Sequence, residues 1–363
     1  MEIQSQAFEV RRDQLAETRI VSEAMPPAEP GEALLRIDAF ALTANNVTYG
    51  VTGDMIGYWQ FFPAADSGWG RIPVWGFADV VSSGIDEVAE GERFYGYFPM
   101  AGHLLVQPTA VGDRSFTDGA AHRAALPAVY NQYQRCTADP LYRPEHEALL
   151  MLFRPLFTTG FFIDDFLADN EFFGAGTVLL SSASSKTAVG LAWLLHRARK
   201  GQVRVVGLTS PGNRRFVESL GCYDAAVTYD KLGALPKGPV VFVDMAGNGD
   251  LRPSIHRHYA DDLAYSCSVG VTHWESAALG GNDDLPGPKP ELFFAPTQVA
   301  KRNEDWGPAG VAERLAAAWT PFAEEAAGWL TVRRPHGPDG VSAAYRSLLE
   351  NRADPAEGLI LSL

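Results

Sequence analysis

TVLLSSASSKTAVGLAWLLHRARKGQVRVVGLT, residues 177–209, reads as strand, turn, helix, turn and strand. TVLLSS (177–182) is an apolar run of strand length that opens into a serine-rich turn. TAVGLAWLLHRARKG (187–201) carries its apolar residues at helical spacing and ends on basic residues and a glycine, the usual stop signal of a helix. QVRVVGLT (202–209) is apolar and rich in valine, as strands are. Working downstream, NRRFVESLG (213–221) reads as a second helix, and AAVTY (225–229), PVVFVDMAG (239–247) and LAYSCSVG (263–270) read as further strands. Strands alternating with helices at this spacing imply βαβ units and a parallel sheet.

Upstream the texture differs. GEALLRIDAFAL (31–42) alternates apolar and polar residues after a Pro-Gly turn, and RIPVWGFADVVSSG (71–84), ERFYGYFPM (92–100) and GHLLVQP (102–108) follow as short strands broken by glycine and proline. Such a series predicts a barrel or sandwich. Residues 119–173 are aromatic and leucine-rich and read as helical. The expectation is therefore an α/β protein of two domains, as 363 residues allow.

A formal charge of −14 argues against nucleic acid or an anionic membrane as a partner. No run of about 20 apolar residues is present, and residues 1–20 lack an apolar signal core. The three cysteines, Cys136, Cys222 and Cys267, are dispersed, which implies no disulfide framework and makes a reduced cytoplasm the expected compartment.

In order and spacing, these segments resemble the medium-chain dehydrogenase/reductase superfamily over nearly the whole chain. ALTANNVTYGVTG (41–53) places Asn45, Thr48 and Gly53 at the spacing of the superfamily's Asn/Cys, Asp and Gly. PVWGFADVVSSG (73–84), AEGERFYGYF (89–98), SLGCYDAAVTY (219–229) and the tail GVSAAYRSLLENRADPAEGLILSL (340–363) each resemble further superfamily segments. The resemblance implies a β-rich, GroES-like catalytic domain (residues 1–150, with a returning tail at 300–363) and a Rossmann-like NADP-binding domain (151–299). It also implies a zinc-free, quinone oxidoreductase-like activity on a divergent branch, and pairing into a homodimer. Zinc-dependent members carry Cys where Asn45 stands, and Gly-His-Glu where Gly76, Phe77 and Ala78 stand. Catalytic zinc needs about three N, S or O protein ligands, which Asn, Phe and Ala do not supply. His256 and His258 offer only a weak alternative pattern, expected on an exposed helix start.

The superfamily's phosphate-binding turn is glycine-rich, whereas here it is SSASSKTAVG (181–190), with Ser185, Lys186 and Ala188 in place of glycines. Hydroxyls at a helix start, the helix dipole and the Lys186 charge still favour an anion, so Ser184, Ser185, Lys186 and Thr187 are candidate phosphate contacts. The plainer alternative is that Ser184 or Ser185 only caps the helix. A degenerate P-loop is a rival reading of Ser185-Lys186-Thr187, which follows a strand and opens a helix, but it is disfavoured because no glycine precedes Lys186 to form the backbone cradle. At the next strand tip no carboxylate stands to hold a ribose 2′-hydroxyl; Thr209, Ser210 and Arg214 suit a 2′-phosphate and hence NADPH. The alternative for Arg214 is a solvated helix face. By resemblance, Tyr229 packs near the adenine ribose, and the tips at Ala246 and Gly270 hold the nicotinamide side.

Quinone- and enoyl-reducing relatives use a tyrosine two residues after the glycine matching Gly53, where this chain has Met55. Tyr49, Tyr58 and Asn46 are the nearest replacement donors, within and beside the aromatic segment MIGYWQFFPAADSGWG (55–70). Tyr130–Asn131 forms a second candidate pair, and Thr159 resembles the superfamily's threonine near the cofactor. Each of these side chains could equally serve packing alone. The aromatic character suggests a small hydrophobic carbonyl, quinone or enone substrate. A catalytically weak NADPH-binding sensor or interaction protein is the alternative, favoured by the altered turn and the absent tyrosine.

Overall fold

In the computed structural model, which describes residues 3–247, 249–269, 285–350 and 352–363, the chain opens with a hairpin of β1 (Ile3–Arg11) and β2 (Gln14–Met25). β1 buries Phe8 and Val10, and also Glu9, whose carboxylate takes two bonds each from Arg19 and Arg71. β3 (Ala33–Leu42) leads to α1 (Ala44–Val51) and the short α2 (Gly53–Ile56). β4 (Trp69–Gly70), β5 (Pro73–Ser83), β6 (Arg93–Pro99), β7 (His103–Val106), β8 (Pro108–Thr109), β9 (Ser115–Asp118) and β10 (Gln132–Arg135) follow. Within 119–173 the long helix is confined to α3 (Glu147–Asp169); upstream the chain makes short turns punctuated by Pro127, Pro140 and Pro144. Proline ends or blocks helix by removing an N–H and clashing with the preceding turn.

The chain divides into two compact units, one of Met1–Leu152 with Leu330–Leu363 and one of Phe153–Trp329. The second contains β11 (Thr177–Leu180), α4 (Lys186–Ala198), β12 (Arg204–Thr209), α5 (Arg214–Ser219), β13 (Ala225–Thr228), β14 (Val240–Asp244), α6 (Leu251–Tyr259), β15 (Leu263–Ser268), β16 (Glu291–Leu292) and α7 (Ala295–Trp329). Its six strands are all parallel, in the order β13-β12-β11-β14-β15-β16. This is the doubly wound order 3-2-1-4-5-6, which reverses between β11 and β14, and ligands of such sheets bind at that reversal. The strands carry the continuous apolar sequence that parallel sheets need: every residue of β11 and β14 is buried.

The tail supplies β17 (Thr331–Arg333), α8 (Gly337–Leu349) and β18 (Glu357–Leu361). β18 pairs antiparallel with β3, in a sheet ordered β17-β18-β3-β5-β6-β10-β9-β8, with β7 also on β3. On α8, Tyr345 is buried against Phe8 and donates to the Leu15 carbonyl at 3.0 Å, so the tail completes the first unit's core. The returning segment starts at Leu330, not at residue 300; residues 300–329 belong to α7 and the parallel-sheet unit. There α7 places Trp319 and Phe322 on Phe157 of α3.

Candidate functional site

The turn from β11 into α4 has a shape that its sequence hides. Ser182 adopts φ +50°, the left-handed region that glycine favours, and its N–H donates to the Tyr229 hydroxyl at 3.0 Å. Ala183 follows, giving its N–H to the Leu208 carbonyl and taking the Tyr223 hydroxyl on its own carbonyl. A glycine does serve this turn, but from β12: a Cβ on Gly207 would lie 2.8 Å from Ala183 Cβ and 2.9 Å from the Tyr223 ring. Ser185 is the helix N-cap, its Oγ accepting from Ala188 N at 3.3 Å. Ser184 Oγ accepts from Asn213 Nδ2 at 3.0 Å, tying the turn to the start of α5. Lys186 opens α4 with its ammonium 5.8 Å from the Phe153 ring centroid, and Thr187 is half-buried beside it.

At the β12 tip Thr209 is buried, and Ser210 immediately precedes a short 3-10 turn, Pro211–Asn213, without a side-chain bond to it. Arg214 is exposed and paired with Glu218 one helical turn on, Nε to Oε1 2.7 Å. The described residues at this tip include no carboxylate before Glu218. Ser182, Ser184, Tyr229 and the 210–214 segment lie at one end of the sheet. Gly270 lies outside the described residues.

Ala246 is also at this end. Its N–H donates to Ser181 Oγ (2.9 Å) and Asp244 Oδ1 (3.2 Å), forming part of a network that the sequence reading missed. Asp244, buried at the end of β14, accepts from Ser181 Oγ, from the amides of Ala246 and Gly247, and from Arg252 through both Nε and Nη2. The signal available was a carboxylate closing an otherwise apolar strand, since a buried charge needs partners. His256, expected at an exposed helix start, instead lies fully buried in the last turn of α6. Its Nε2 meets Ser266 Oγ at 2.9 Å and its Nδ1 meets the Pro286 carbonyl at 3.0 Å. Burial lowers its pKa, so the ring is neutral and joins α6 to β15.

The β-rich unit gathers the other candidates. Asn46 is buried; its Oδ1 accepts from Thr43 N at 2.8 Å in a capping box at the start of α1, and its Nδ2 donates to the Pro73 carbonyl at 2.9 Å. Those bonds give Asn46 a structural role. Asn45 Nδ2 donates to the Tyr49 hydroxyl at 2.8 Å. Tyr49 lies 4.3 Å from Tyr58 between ring centroids and 6.0 Å from Tyr97; Tyr130 is 4.7 Å from Tyr97 and 6.2 Å from Tyr58. Burial pushes the Tyr49, Tyr58, Tyr97 and Tyr130 hydroxyls above the ordinary phenol range, which keeps them protonated. Gly53 matters sterically, since a Cβ there would collide with the Trp59 indole, which Gly70 flanks as well.

Arg123 holds the chain around Tyr130. Buried, it bonds Asn131 Oδ1 (2.9 Å), Asp118 Oδ2 (2.8 Å), the Tyr133 hydroxyl (3.0 Å) and the Tyr130 carbonyl (2.6 Å). Phe77 and Ala78, at the zinc-ligand positions of other proteins, are packed in the core. Among the described residues no three His, Cys, Asp or Glu side chains are grouped as a metal site would need, and no helix is long and apolar enough to cross a membrane. Thr159 Oγ1 donates to the Pro155 carbonyl of its own helix.

Solved structures share this architecture at low sequence identity. CurA from Vibrio vulnificus, determined in complex with NADPH, matches with a TM-score of 0.60 and 12% identity over 98% of each chain. A putative NADPH:quinone reductase from Mesorhizobium loti matches at 0.58 and 12% over the whole of both chains. The quinone oxidoreductase from Coxiella burnetii matches at 0.56 and 12%, over 99% of this chain and 100% of that one. These likenesses establish the fold, a Rossmann-like unit with a GroES-like β-rich unit. No curated protein matches the chain. With its residues 40–354 matched, the chain belongs to the family described as protein of unknown function DUF2855.

Proposed function

We propose that this protein is an NADPH-dependent reductase that transfers hydride to a hydrophobic carbonyl, quinone or α,β-unsaturated acceptor without a metal. The observation that carries the reading is the end of the 3-2-1-4-5-6 sheet, where a glycine-like turn at Ser182 meets a β12 tip bearing hydroxyls and Arg214 instead of a carboxylate. The donor set fits a dinucleotide phosphate. The N-terminus of α4, Ser184 and Lys186 suit the pyrophosphate, Ser210 and Arg214 suit a 2′-phosphate, and Tyr229 suits the adenosine side. Ser185 belongs to the cap, and Thr209 and Ala246 act through the backbone that they shape. Bound NADPH would supply the hydride; the tyrosine cluster holds protonated phenols that can neutralise the oxyanion that hydride addition leaves on the acceptor. The similar structures named above, one an NADPH complex and others quinone reductases, support this reading.

Calorimetry is expected to show NADPH bound at least ~10-fold more tightly than NADH, as a charge-assisted contact to the extra phosphate requires. Lys186→Ala is expected to weaken NADPH by roughly 10- to 100-fold, the scale of a lost charged hydrogen bond, and less so at high salt. Equal affinities for the two nucleotides, or unchanged binding in Lys186→Ala, would overturn the cofactor assignment. The burial of Tyr49 and Tyr58 favours one competing reading, a nucleotide-binding sensor. A screen of NADPH oxidation with quinones, enones and aldehydes, repeated after chelation, separates the two: a sensor binds NADPH and turns over none of them.

A further inference from the structure

Ser184 does not cap the helix that it precedes; Ser185 does. At the start of α5, Asn213 holds the N-cap position, where asparagine is among the favoured residues, yet its side chain makes no bond to that helix. The amide crosses instead to the neighbouring turn and donates from Nδ2 to Ser184 Oγ at 3.0 Å. Backbone holds Asn213 in place for this, its own N–H donating to the Ser210 carbonyl at 3.1 Å across the rigid Pro211. One residue before Ser184, the bond from the Ala183 N–H to the Leu208 carbonyl already ties the turn to β12. A serine hydroxyl has one proton and two lone pairs. With the Asn213 amide on a lone pair the proton is left to donate, and among the described residues no acceptor takes it.

Resting on the cofactor reading above, we propose that Asn213 is a positioning residue for the dinucleotide: by donating to Ser184 it commits the serine hydroxyl to donate to a pyrophosphate oxygen. A hydroxyl rotor turns to suit whatever surrounds it. An amide N–H on its oxygen removes the orientations in which the proton points back at Asn213. It also polarises the O–H, since hydrogen bonds in a chain strengthen one another. Donation to an anionic oxygen is the stronger kind of hydrogen bond, so the ligand gains most from a hydroxyl prepared in this way. Asn213 thereby assists a phosphate that it does not touch. Both residues belong to the parallel-sheet unit, in the turns that follow β11 and β12, so the arrangement is complete within that unit. The pyrophosphate is common to all dinucleotides, so Asn213 serves affinity for the dinucleotide as such, whereas Arg214, next in the chain, serves the 2′-phosphate.

Calorimetry on Asn213→Ala, Ser184→Ala and the double variant tests this, with NADPH, NADH and ADP-ribose as probes. ADP-ribose carries the pyrophosphate but neither the nicotinamide nor a 2′-phosphate. Ser184→Ala loses a hydrogen bond to a charged group and should weaken NADPH about 20-fold, whereas Asn213→Ala only releases the hydroxyl and should weaken it about fivefold. The factor for Asn213→Ala should be the same with NADH and with ADP-ribose. In the double variant Asn213 has nothing left to position, so the loss should stay at about 20-fold, where independent contacts would multiply to about 100-fold. A multiplied loss means that Asn213 touches the nucleotide itself and overturns the positioning role. A loss confined to NADPH moves Asn213 to the 2′-phosphate and overturns it as well. So does Asn213→Ala with parental affinity for all three probes and only a lower urea midpoint, which reduces the bond to fold stability. A parent protein that binds none of the probes overturns the cofactor reading and this inference together.

Discussion

Arg123–Asp118 in the β-rich unit and Arg252–Asp244 in the parallel-sheet unit are both buried ion pairs beside candidate site residues, but their hubs are opposite. In the first the guanidinium is the hub, joining Asp118, Asn131, Tyr133 and the Tyr130 carbonyl, with Phe62 4.9 Å from its face. In the second the carboxylate is the hub, and Arg252 is one of several donors around Asp244. A planar cation with five donors can organise a loop that has little regular structure of its own, as the chain around Tyr130 has. A carboxylate suits a strand end, where backbone N–H groups and a serine hydroxyl need an acceptor. The two units thus stabilise their sites by different means: in one a guanidinium spreads over three side chains and the Tyr130 carbonyl, in the other a carboxylate collects a serine hydroxyl, two amides and an arginine.

This contrast can be broken experimentally. Arg123→Met leaves Asp118 with only the Gln107 and Ala120 amides and also strips the donor from Asn131 Oδ1 and the Tyr130 carbonyl, so it should cost about 4 kcal/mol in urea unfolding, within the range for a broken buried pair. Arg252→Met should cost about 2 kcal/mol, because Asp244 keeps the Ser181 hydroxyl and two amides and loses only charged hydrogen bonds. If the two losses come out equal, the distinction between the hubs fails. The smallest effect sharpens the account of the phosphate turn. Ser182→Gly relieves a left-handed residue and should raise stability by about 1 kcal/mol, seen as a higher melting temperature, with the NADPH affinity kept. A loss of stability there would mean that the Ser182 side chain matters more than its backbone.

Much of the architecture could be read from local pattern. Helical and strand periods, glycine stops and apolar run lengths depend on neighbours a few residues away, so the βαβ series appeared in order. The site was legible where composition alone matters, as at the β12 tip, where no acidic residue precedes Glu218. It was not legible where one side chain meets another far along the chain. Asn46 reads as a donor beside an aromatic segment until Pro73 takes its amide, and His256 reads as a surface residue until Ser266 and Pro286 enclose it. The Thr43-to-Asn46 spacing did hold a local hint, since a polar residue three positions after a threonine is a capping-box pattern.

The sequence by itself determined the order of elements, the parallel sheet, the β-rich front and the chemical character of the strand tips. These follow from the 3.6- and 2-residue side-chain periods and from residue type. Tertiary structure alone decided that Ser182 takes a glycine's conformation, that the tail begins at Leu330, and that Asn46, Tyr49 and Tyr58 are buried. Burial is a property of what packs on a residue, and the packing partners come from elements that lie tens to hundreds of residues away: Tyr97 for Tyr49, Asp244 for Ser181, Leu15 for Tyr345.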